Sequence, residues 1–144
     1  MSIQRDIIIN SLKKVVKNNY ILEDGDNVMR YIPLMLQNIG DVDSYLRDDL
    51  IYYTFYYWII ELKYINKGNL ILMLEILIGE KHLFYELGEN GWDSVFTRSF
   101  SALLISVILL RNITENFLSQ DMFTKVKNSI LIYYNKEKDF RGFD

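Results

Sequence analysis

Arg47, Arg98 and Arg141 are the residues whose spacing most invites a chemical reading. Each follows an aspartate closely (Asp43, Asp93 and Asp139), and Asp48 and Asp49 come directly after Arg47. A guanidinium and a carboxylate can satisfy each other in a bidentate pair of fixed geometry. Left unpaired in a groove, the same arginines would hold an anionic ligand, and carboxylates beside them could do acid–base work without a histidine. Asp43, Arg47, Asp48, Asp93 and Arg98 are therefore candidates for one of two roles. In the first they are structural ion pairs, Arg47 with Asp43 and Arg98 with Asp93. In the second they line a ligand groove that would also draw on Asp49.

Other chemistries lack their residues. One histidine and no cysteine leave no ordinary zinc site, no disulfide framework and no thiolate chemistry. His82 lies in "EKHLFYEL" and there is no Gly-x-Ser-x-Gly elbow, so a structural histidine is expected. Asp41, Asp43, Asp48 and Asp49 fail the calcium-loop pattern, because Tyr45 and Leu46 stand where a ligand and a glycine are needed. They read as helix-capping groups. No glycine-rich phosphate loop occurs. No catalytic residue, cofactor or metal ligand is assigned.

Elements must position these side chains, and the apolar spacing that builds them is helical almost throughout. Ile3, Ile7, Ile8, Leu12, Val15 and Val16 make one face of a first helix, with Lys13, Lys14 and Lys17 opposite. Asp26 is placed to cap a second helix reaching Ile39, with Gly40 to end it and Pro33 to kink it or delay its start. Asp43 or Ser44 opens a long helix to about Tyr64. "NKGN" precedes a helix ending at Gly79, and "KHLFYEL" is a short helical piece. After the loop "GENGWD", Asp93 or Ser94 opens an apolar helix to about Arg111, and Ser119 or Asp121 opens the last. No segment alternates as a strand does. The fold class is all-α, about six to seven helices in a single domain over residues 1–144.

The aromatic run Tyr52, Tyr53, Phe55, Tyr56, Tyr57 and Trp58 wraps every side of the long helix, so not all of it can be buried. Tyr53, Tyr57 and Trp58, with Trp92 at its loop tip, are the candidate interface residues. A net charge of −3 with no basic stripe argues against a nucleic-acid partner. The apolar stretches 51–60 and 100–110 are shorter than the roughly 20 residues that span a bilayer, so no membrane partner is expected and a cytoplasmic setting fits.

The arginines recur 51 and 43 residues apart, close to the period of HEAT or armadillo-like helical pairs. The expected architecture is a right-handed α-α array tied together by the arginines. "IGDVDSYLRDDLIYY", "VFTRSFSALLI" and "EKDFRG" together resemble an uncharacterised family of Gram-positive bacteria, a domain of unknown function. Its members are longer, so the resemblance implies that this chain corresponds to an N-terminal half. It supports the helical fold and supplies no mechanism. The expected role is a non-catalytic scaffold for a protein or peptide. The alternatives are an enzyme or anion binder using the Arg/Asp groove, and, ranked last, a DNA-repair array. A homodimer through the last helix (Phe123, Val126, Ile130, Leu131 and Tyr134) is also expected.

Overall fold

The computed structural model describes residues 3–90 and 92–141. These residues form six helices and no strand, an all-α fold. Helix α1 (Ile3–Lys17) buries Ile8, Leu12 and Val15. The N-terminal part of its expected apolar face lies in solvent, with Ile3 and Ile7 exposed. A 3₁₀ turn (Val28–Arg30) precedes α2 (Ile32–Gln37). Pro33 sits in the first turn of α2, where its missing N–H costs nothing, and so delays the helix. Asn27 caps the 3₁₀ turn by accepting from the Met29 N–H at 2.8 Å. The neighbouring Asp26 carboxylate instead accepts from Tyr31 and Arg30.

Helix α3 covers residues 45–61 in three abutting stretches. Tyr45–Tyr52 and Tyr57–Glu61 are wound as π-helix around an α-helical Tyr53–Tyr56. The Leu62 N–H reaches back five residues to the Tyr57 carbonyl at 2.8 Å, as that wider winding requires. Helix α4 (Lys67–Leu77), α5 (Ser94–Glu115) and α6 (Gln120–Lys136) follow. "KHLFYEL" is a run of turns, not a helix: Leu83 bonds back to Leu77 and Phe84 to Gly79. α5 runs to Glu115, four residues beyond the expected end, and Asn116 caps it in the left-handed conformation.

The core lies where α3 and α5 meet, with α1 and α2 on one side and α4 on the other. Phe55, Trp58, Ile59, Leu104, Ile105 and Ile108 are wholly buried, each worth about 1.5–3 kcal/mol of burial. Trp58 is therefore a core residue and not an interface one. Its indole N–H donates to the Tyr20 carbonyl at 2.8 Å. Tyr20 sits at φ 67°, and stacking on Tyr57 (ring centroids 4.1 Å apart) holds it there. Tyr53 and Tyr57 remain partly in solvent. By length and composition alone α5 could cross a membrane, but 61% of its apolar window is buried inside the protein. It is the central core helix.

His82 is buried against α2, its Nε2 3.0 Å from the Leu36 carbonyl. A carbonyl only accepts, so Nε2 carries the proton. Burial holds the imidazolium below its ordinary pKa. The folded state thus binds fewer protons than the unfolded state below about pH 6.5, and stability falls on acidification through that range. His82 is the chain's single histidine. Chemical denaturation should show stability declining from pH 7 towards pH 5.5, about the range where a free histidine titrates. His82→Gln, which keeps a donor for Leu36, should flatten that slope.

A candidate arginine-centred site

Arg98 enters α5 one turn after Ser94 and is wholly buried. A charge placed there must be satisfied completely. Its Nε and Nη2 donate to the two carboxylate oxygens of Glu137 at 2.7 and 2.9 Å, a bidentate pair. Nη1 donates to the carbonyls of Tyr85 and Glu86 and to Ser94 Oγ, each at 3.0 Å, and Nη2 also reaches the Glu89 carbonyl at 3.3 Å. All three donor nitrogens are engaged. The expected partner, Asp93, is not involved. Asp93 starts the helix without a side-chain capping bond and bridges instead to Arg141 at 3.3 Å. The reason is reach: Arg98 points into the protein, whereas Asp93 stays on the surface, and Glu137 comes inward as the chain turns at the end of α6.

Arg47 departs from expectation in the same way. Its Nε donates to Asp48 at 3.1 Å and its Nη1 to the carbonyls of Asp41 and Val42, while Asp43 accepts from the Tyr45 N–H at 3.0 Å. Asp43 thus serves the start of α3, as capping groups do. The Arg47 guanidinium lies 4.3 Å from the Phe96 ring centroid and 5.0 Å from that of Phe100, within cation–π range. Asp41 is held by Arg5 through contacts of 2.8 and 3.0 Å, and that hydrogen bond keeps its carboxyl below the usual range.

The tail completes the site. Glu137 Oε1 also accepts from the N–H groups of Lys138 and Asp139, both at 3.1 Å. Asp139, itself buried, takes Arg141 through contacts of 2.9 to 3.2 Å. Arg141 then donates to the Trp92 carbonyl and lies 5.4 Å from the Phe96 ring. Gly142 of the Arg-Gly element lies outside the described residues.

Three separated sequence motifs converge here: "LRDD" brings Arg47, "FTRSF" brings Phe96 and Arg98, and "EKDFR" brings Glu137, Asp139 and Arg141. Sequence reasoning missed Glu137, although it lies inside a motif already singled out. The aspartate-before-arginine spacing drew attention to Asp139 instead. It also missed Arg111, buried on α5, whose Nη1 donates to the carbonyls of Ile59 and Ile65 while Nε meets Glu115 at 3.2 Å. The signal available was a charge closing an apolar run. Arg47 ties the α2–α3 connection, Arg111 the α3–α4 connection and Arg98 the α4–α5 connection. Among the described residues no cluster of three or more His, Asp or Glu side chains could hold a metal ion.

No curated protein and no solved structure matches the chain. A family model matches only the C-terminal portion, less than half the length, which carries α5, α6 and the tail that pairs with the head of α5. Residues 83–144 are similar to a family described as protein of unknown function (DUF2785).

Proposed function

We propose that the chain is a non-catalytic helical-repeat protein, HEAT-like in plan, that presents a surface to a protein or peptide partner. One observation carries this reading. Arg98, the buried arginine an anionic ligand would need, is already saturated by Glu137, Ser94 and three carbonyls, and Arg47 commits its Nε to Asp48 and its Nη1 to two carbonyls. Seating a ligand there would require breaking bonds that hold the connections between helices. A cytoplasmic setting belongs to the same proposal, since the apolar window of α5 is used by the core.

The surface offered is α6. It fully buries only Val126 and Tyr133, while Leu131 and Tyr134 stand in solvent on adjoining turns and Phe123 stands in solvent about two turns earlier. Isolated exposed apolar residues are ordinary, but a run along one helix marks a docking face for a partner or a second copy. A photo-crosslinking amino acid placed at position 134 in the living source cell should yield a discrete protein adduct, and the same group at exposed Lys14 should not. No adduct at either position would contradict the proposal. In parallel, the arginine side-chain NMR signals of Arg47 and Arg98 should not move on titration with inorganic phosphate. A saturable shift would favour the anion-binding alternative.

A further inference from the structure

Helix α6 meets the core on one face, through the buried Val126 and Tyr133. A second face follows a spacing of four, three and four residues: Phe123, Lys127, Ile130 and Tyr134. Phe123 and Tyr134 are exposed, and Ile130 is half-buried at the edge of the core. Such spacing is the seam that one helix offers to another, because it keeps successive side chains in line with a partner's axis.

The second place in that seam is a charge. Lys127 is exposed and makes no ion pair among the described residues. The positions one turn away hold Phe123, Thr124, Ile130 and Leu131, none of them acidic. The next acid along the chain, Glu137, is turned inward to Arg98. A lone lysine in an apolar seam specifies what can cover it. Once enclosed, its ammonium needs a carboxylate opposite.

We infer that α6 takes an acidic amphipathic helix of another protein, its apolar residues laid against Phe123, Ile130 and Tyr134 and a carboxylate set against Lys127. The inference rests on the reading of α6 as a docking face and names what docks. The helical spacing of the anchors selects a helical occupant, and the charge selects its sign. Lys127 also weighs against the two other occupants. A second copy that covers the whole seam about an antiparallel two-fold axis must set Phe123 against Tyr134 of the other copy. The two Lys127 residues then lie only about 4.5 Å apart along the helix axis. A parallel pairing sets them directly opposite. Either closes two like charges into one apolar seam. A bilayer surface takes helices whose lysines sit on a separate polar face, whereas Lys127 stands between Phe123 and Ile130.

Fluorescence anisotropy on the full chain tests it with two labelled synthetic peptides. Each is an amphipathic helix of 17 residues, the length of α6, with a leucine seam whose centre carries glutamate in one and lysine in the other. The glutamate peptide is expected to bind with a Kd about tenfold or more below that of the lysine peptide. Lys127→Glu should reverse the preference, and Lys125→Glu, the same change on the opposite side of α6, should leave it. Tyr134→Ala should weaken both peptides. Thermal unfolding checks that these variants, each at an exposed position, stay folded. Equal binding of the two peptides, or binding of neither, overturns the inference. If equal binding is lost on Tyr134→Ala, α6 still stands as a docking face. Binding of the glutamate peptide that ignores both Lys127→Glu and Tyr134→Ala removes that reading too. Binding to vesicles of phosphatidylglycerol and phosphatidylcholine, or a dimer in sedimentation velocity, that Tyr134→Ala abolishes would give the face to lipid or to a second copy and overturn the inference.

Discussion

Glu137→Ala is expected to cost about 3–5 kcal/mol, the penalty for stranding a buried charge by removing its partner. The two side chains are 0% and 2% exposed, so solvent cannot replace the lost carboxylate without opening the structure. The damage should be directional. Glu137 also accepts from the N–H groups of Lys138 and Asp139, so the tail that carries Arg141 loses its anchor together with Arg98. Urea unfolding should give the energy. Amide exchange should show residues 138–141 and the turns at 85–89 losing protection before the α3–α5 core does. Glu137→Gln keeps the shape and an acceptor oxygen but not the charge, and should lie between the two. A ΔΔG below about 1 kcal/mol for the alanine variant, the range of a surface pair, would mean that Arg98 is not enclosed in this way.

Gly40→Ala is the second large effect. A Cβ built at Gly40 falls 2.0 Å from Thr97 Oγ1 and 2.4 Å from the Thr97 Cα and N atoms. A hydroxyl could rotate away, but the backbone of α5 cannot. The connection before α3 would have to move off the helix, taking with it the carbonyls of Asp41 and Val42 that hold Arg47. Overpacking of this kind costs about 1–3 kcal/mol, and the upper end is expected because the clash is with main chain. Gly68→Ala provides the contrast. Its Cβ would make an ordinary contact, 3.5 Å from Asn66 Oδ1, in the first turn of α4, so a small gain is expected from helix propensity, at or below about 0.5 kcal/mol, the lower end for a mid-helix site. Thermal or urea unfolding of the two variants should therefore shift in opposite directions.

Gly40 also shows what could be read in advance and what could not. The sequence pattern placed it at the end of a helix, but that helix stops at Gln37, and the glycine serves a crossing with Thr97 that no local pattern encodes. Helix existence was legible because apolar spacing is a local property: all six helices lie where the periodicity put them. Their ends were less so. α5 runs on to Glu115, and "KHLFYEL" has helical spacing yet folds as turns whose carbonyls Arg98 collects. The arginines were legible as residues that needed partners. Their partners were not, because proximity in sequence pointed to Asp43 and Asp93, whereas burial selected Glu137 and main-chain carbonyls. Likewise the aromatic run announced a helix with too many rings to bury, without saying that Trp58 was the one wholly inside.

Arg98 and Glu137 form one closed structural unit that ties the tail to the head of α5. A double-mutant cycle tests it most directly, using Arg98→Met, Glu137→Ala, the double variant and the parent, with unfolding free energies at neutral pH. The double variant is expected to be less damaged than the sum of the single ones, with a coupling of about 2 kcal/mol or more, since removing both charges leaves neither stranded. Additive losses, with a coupling near zero, would contradict it and return Arg98 to the anion-binding reading.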